Sequence, residues 1–204
     1  MSFETHVARR AEEALRSVPP DERRDCYVVS FYVYDVDDDP RTPTLTVGTN
    51  TESEVGRRLD PRTKNRFGNP SDTAEARWNY AFWLQNQLAM IADPDGDPRG
   101  AELCEQWIRT RGLWLEEPDD WTDRLVVTQY EGAAGLMTSA FVELCVDTAQ
   151  LMHRSGVVVD VFGGPIPIVV HELEYYDEIA AQTERANPPG LAGEFVEWIN
   201  AMGA

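Results

Sequence analysis

The sequence predicts an α+β protein: a mixed, largely antiparallel sheet of four or five strands covered by helices. Three observations predict it. Residues 27–36 are rich in valine and aromatics, and both alternating sets of side chains are largely apolar, the pattern of an interior strand covered on both faces. Residues 44–47, Thr-Leu-Thr-Val, alternate strictly behind the turn-forming segment 37–43 and read as a hairpin partner. Strand-like runs are elsewhere separated by runs of helical periodicity, which favours segregated layers over the strict alternation of a doubly wound fold. At 204 residues, 42% of them apolar, the chain suits a single globular domain over 1–204 with a substantial core.

The elements follow in order. Phe3, Val7, Ala11, Ala14, Leu15 and Val18 recur at steps of three and four, so residues 3–18 read as an amphipathic helix that Pro19 and Pro20 end. Thr51 and Glu54 have capping-box spacing: the threonine oxygen accepts from the Glu54 amide, and the carboxylate returns to the Thr51 amide. A helix should start there. Residues 72–92 read as one long helix, opened by Asp72 and Glu75, with Trp78 and Phe82 at the centre of the core. The Asp93-Pro94-Asp95-Gly96-Asp97-Pro98 turn stops it. A further helix carries Cys104, Trp107, Ile108 and Arg111 and ends near Gly112.

Residues 113–123 read as irregular and 125–130 as a short strand. Met137, Phe141, Leu144, Cys145, Thr148 and Met152 trace a long helix, with His153 and Arg154 in its last turn and Gly156 as a left-handed cap. Residues 157–162 and 166–171 read as two strands around the Gly163-Gly164-Pro165 turn. Residues 172–186 read as a helix broken by Asn187-Pro188-Pro189-Gly190, and 191–202 as the last helix.

Charge narrows the function. Against 18 basic residues stand 36 acidic ones, a formal net charge of −18. Nucleic acid and anionic lipid are gripped by concentrated Lys and Arg that displace counterions, so this balance argues against both and suits a basic partner. The first 18 residues are charged throughout and lack the apolar core of a secretory signal. The longest apolar stretch, 157–170, is interrupted by Asp160, Gly163, Gly164, Pro165 and Pro167, well short of the roughly 20 apolar residues of a membrane helix. Cys26, Cys104 and Cys145 are odd in number and lack Cys-x-x-Cys spacing, which fits a reduced, cytoplasmic protein without a disulfide framework or zinc knuckle.

Several clusters invite chemistry. His171-Glu172-Leu173-Glu174, with Asp177 and Glu178 behind it, approaches a zinc-protease helix, but the second histidine of His-Glu-x-x-His is Tyr175 here. An acidic helix amino terminus explains the carboxylates. A metal-assisted hydrolase using His171, Glu172, Glu174 and Asp177 is the competing reading. Residues 35–40 and 93–97 space acids as a calcium loop does, yet lack its glycine and bidentate glutamate and read as turns. Cys104 and Cys145 fall on apolar helix stripes, where cysteine is a packing residue. No catalytic residue, metal or cofactor is expected. The best binding candidate is the loop bearing Trp114, Glu116, Glu117, Asp119, Asp120 and Trp121, in which aromatics would anchor and acids would steer a basic protein. The bland alternative is a core-capping loop with inward tryptophans.

Four segments together resemble a bacterial group, domain of unknown function 4303. They are Tyr27-Val28-Val29-Ser30-Phe31-Tyr32-Val33-Tyr34, Val47-Gly48-Thr49-Asn50-Thr51-Glu52, Ala76-Arg77-Trp78-Asn79-Tyr80 and Ala186-Asn187-Pro188-Pro189. The resemblance implies a cytoplasmic protein of immunity type, which binds and blocks a partner without performing chemistry, and it supplies no catalytic residue.

Overall fold

The apolar run near residue 30 does form an interior strand. In the computed structural model, which describes residues 1–64 and 68–202, β1 (Cys26–Asp35) pairs antiparallel with β2 (Pro43–Thr51) and parallel with β4 (Ile168–His171). The short β3 (Ala89–Ile91) pairs antiparallel with β2, which gives the order β3-β2-β1-β4 and a mixed, largely antiparallel sheet. Eight helices accompany it among the described residues: α1 (Phe3–Ser17), α2 (Glu52–Leu59), α3 (Thr73–Trp78), α4 (Pro98–Thr110), α5 (Arg124–Arg154), α6 (Val157–Phe162), α7 (Asp177–Ala186) and α8 (Gly193–Met202). The fold is α+β.

Alternation along β1 divides the core in two. Val29, Phe31 and Val33 join a cluster with Phe3, Val7 and Leu15 of α1, Ile108 of α4 and Phe141 and Cys145 of α5. Val28 joins the other, with Val55, Trp78, Trp83, Val169, Ile179 and Phe195. Each side chain so buried contributes about 1.5–3 kcal/mol, which is why a run apolar on both faces is stable only between two layers.

Four elements differ from expectation. The helix expected over 72–92 breaks after Trp78: Asn79 leaves helical space at φ −83, ψ 116, and its Oδ1 accepts from the Ala81 amide at 3.0 Å to start a short 3-10 turn, Tyr80–Phe82. Asn86 then turns to the sheet, accepting from the Thr49 amide at 2.8 Å and donating to the Thr49 hydroxyl at 3.1 Å. Short amide side chains outcompete helical backbone here. Gly48 permits the approach, because a Cβ there would lie 2.6 Å from the Asn86 carbonyl oxygen. Trp78 and Phe82 are buried nonetheless.

Residues 125–130 are the start of α5, whose amino end Asp123 caps through the Leu125 amide at 2.9 Å. Residues 157–162 are a helix too. Val157, Val158, Val161 and Phe162 are buried at helical spacing while Val159 is exposed, and Gly156 and Gly163, at φ 82 and 81, stand at its two ends. Gly163-Gly164-Pro165 therefore links a helix to a strand. Finally α7 begins at Asp177, five residues late, because residues 172–176 run as irregular chain beyond β4. The capping box is half made: Thr51 accepts from the Glu54 amide at 3.1 Å, but the Glu54 carboxylate takes Arg57 and Arg58 instead of the Thr51 amide.

Candidate functional site

The candidate loop joins α4 to α5, and its two tryptophans differ in fate. Trp114 packs half-buried against the main core, with the Arg109 guanidinium 3.5 Å above its ring. Its indole N–H donates to Glu116 at 3.1 Å. Glu117 accepts from Arg41 at 2.6 Å, and Arg41 also grips Asp39 through two parallel bonds of 2.8 and 2.7 Å. Such a forked pair is geometrically stiff and holds Arg41 within the β1–β2 turn, from which its bond to Glu117 ties the first half of the loop.

Trp121 projects. It is 55% exposed and rests edge-on against Tyr130 of α5 at 5.3 Å. Asp120 accepts from the Thr122 amide at 2.8 Å and hydroxyl at 2.6 Å, which holds its carboxyl below the usual range and shapes the entry to α5. Leu125 and Val126 are exposed beside it, and α5 does not enter the core until Met137. The structure thus brings Glu116, Glu117, Asp119, Asp120 and Trp121 to one exposed segment and withdraws Trp114 into a supporting role.

His171 sits elsewhere and does something else. It ends β4, fully buried, ringed by Tyr80, Tyr32, Trp83 and Tyr175 at 4.8, 5.4, 5.7 and 5.9 Å between ring centres. Its Nδ1 lies 2.9 Å from the Glu172 carbonyl oxygen, which can only accept, so Nδ1 carries the proton. Nε2 therefore accepts the Ser30 hydroxyl at 2.8 Å. Burial pushes its pKa down to about 4, keeping the ring neutral. This is the bond polarity of an activated serine, but Ser30 is only 2% exposed. The pair ties β1 to β4.

With both ring nitrogens engaged, His171 offers nothing to a metal. Among the described residues no three His, Cys, Asp or Glu side chains are grouped so as to hold one. His6 is bonded to Asp97 at 2.7 Å and His153 to Asn187 at 3.0 Å. Burial pushes the Cys26 and Cys104 thiols up to about 11 and 12 and the Cys145 thiol higher still, which makes them poor nucleophiles.

The aromatic ring around His171 was invisible to spacing rules, since Tyr32, Tyr80 and His171 come from three distant segments. Its only signal was the density of tyrosine in residues 27–34. Among the described residues no helix is long and apolar enough to cross a membrane. No family model, curated protein or solved structure matches the chain.

Proposed function

We propose that the chain is a non-enzymatic binding protein of immunity type that neutralises a basic protein partner. One observation carries the reading: an exposed aromatic and apolar set, Trp121, Leu125 and Val126, follows directly on Glu116, Glu117, Asp119 and Asp120 where the α4–α5 loop enters α5. Large apolar side chains left in water beside charge are what a desolvating contact uses as anchors. The formal charge of −18 adds long-range attraction for a cationic surface. Kinship with the 4303 group belongs to the same proposal.

Affinity capture from the source cells tests it, with wild type beside a variant carrying Glu116→Gln, Glu117→Gln, Asp119→Asn and Asp120→Asn. Wild type should retain a protein of net positive charge that the variant loses, and co-expression should relieve that protein's toxicity. Recovery of acidic or neutral proteins alone, or equal capture by the variant, would sink the reading.

A further inference from the structure

The solvent face of α5 lacks the charge expected of it. Between Leu125 and Glu143 only Glu131 and Glu143 are charged at neutral pH, in a chain that is 26% charged. Leu125, Gln129, Gly132, Leu136, Ser139 and Glu143 recur at steps of four and three and are all exposed, Leu125 at 76% and Leu136 at 65%. At 1.5 Å per residue this stripe is about 27 Å long. Gly132 and Gly135 lie within the helix, where glycine is costly. A Cβ added at either would meet nothing within 4 Å among the described residues, so no contact there calls for them.

The stripe runs into a groove of about 430 Å³ between α5 and the α7 region, lined by Gly135, Ser139, Val142, Glu172, Tyr176 and Glu178 among others. Leu173 and Tyr176 stand 72% and 41% exposed in the segment leading into α7. Glu172, Glu174 and Glu178 enter no ion pair among the described residues. The groove's arginine, Arg185, is already paired with Glu143. The excess charge is felt nearby: burial first, and Glu172 second, push the Tyr176 hydroxyl up to about 12 and the Asp35 carboxyl up to about 6.

We propose that this stripe and groove receive an amphipathic helix of a partner protein, with its apolar side chains on Leu125, Leu136 and Tyr176 and its lysines or arginines against Glu172, Glu174 and Glu178. The glycines keep the floor low enough for a second backbone to approach, and the length matches a helix of about five turns. Charge decides the occupant. A second copy would bring another −18 onto an already acidic groove, whereas a basic helix neutralises it. The inference rests on the basic-partner reading and adds the mode of recognition to it.

A fluorescein-labelled 18-residue Leu/Lys amphipathic helix serves as the probe, followed by anisotropy and by amide shifts of the ¹⁵N-labelled full chain. Binding should shift residues 125–143 and 172–185. It should weaken at least tenfold in Glu172→Gln/Glu178→Gln. The Gly132→Gln/Gly135→Gln variant should melt higher, because glutamine favours helix, and yet bind at least tenfold more weakly. A glycine variant that binds like wild type overturns the proposal, as does failure of the peptide to bind or complete displacement by spermidine. Dimerisation of the chain through the same residues would do so too. Shifts confined to 116–121 would overturn the groove while leaving the basic-partner reading intact.

Discussion

Ser30 donates its hydroxyl to His171 Nε2 at 2.8 Å, a bond across the one parallel strand pair, β1 and β4, found among the described residues. Both residues are buried, so the pair serves the fold, and a buried polar group deprived of its partner costs about 1–3 kcal/mol. Ser30→Ala should therefore lower stability by about that amount in urea denaturation.

Acid should act through the same ring. His171 titrates near 4 when folded against an ordinary value of 6.5. A depressed folded value means that its contribution is complete above pH 6.5, is lost as pH falls to 4, and changes no further below. The loss is roughly 3 kcal/mol from linkage. Comparing wild type with His171→Gln at pH 7 and pH 4 checks this, since the acid penalty should shrink by about that amount in the variant. Equal penalties would exclude His171 as the source.

Asp35 should show the opposite sign. Burial and the carboxylates of Glu172, Asp39 and Asp38 push it up to about 6. A raised folded value favours folding below the unfolded value of 3.8, and this advantage disappears as pH rises through 6, leaving a charged group in poor surroundings. Asp35→Asn should therefore be more stable than wild type at pH 7, with the gain vanishing by pH 4. A variant no more stable at pH 7 would contradict the argument.

Trp78 anchors the second core cluster, edge-on to Tyr27 at 5.5 Å and to Phe195 at 5.7 Å. Trp78→Ala should cost about 3–5 kcal/mol, the range for deleting a large buried aromatic. A loss within about 0.5 kcal/mol, typical of surface positions, would remove this residue from the core.

Legibility in the sequence followed the number of neighbours that each element needs. The faces of α1 and of β1 are set by local apolar spacing, so their residues declared them. The valines at 157–162 did not, because their β-propensity is overridden by burial on one helical stripe between two glycines with positive φ. The break at Asn79 depends on side-chain bonds to the backbone, and Asn86 pairs with Thr49, 37 residues away. At the candidate site the acids of the loop were legible as composition. That Trp114 would be captured by Arg109 and Trp121 left half-exposed against Tyr130 was not, because it is decided by contacts with side chains of α4 and α5 that spacing in the loop does not show.

Steering and anchoring should separate at that loop. Glu116, Glu117, Asp119 and Asp120 are all exposed, so water and salt screen them strongly and their contribution is chiefly to encounter. Trp121 buries no more than half of itself in the free protein and has apolar surface left to bury. Against the basic partner recovered by capture, neutralising the four acids should lower the association rate and flatten its salt dependence, with little change in dissociation. Trp121→Ala should instead raise the dissociation rate by tenfold or more, the scale of a hot-spot aromatic, and leave association within about threefold. Glu117 needs a control, since its loss also frees one side of Arg41. Restoring Glu117 in the variant separates that rearrangement from steering: an association rate that recovers fully with this single acid would assign the effect to the Arg41 tether, and a rate that stays low assigns it to the field of the other three.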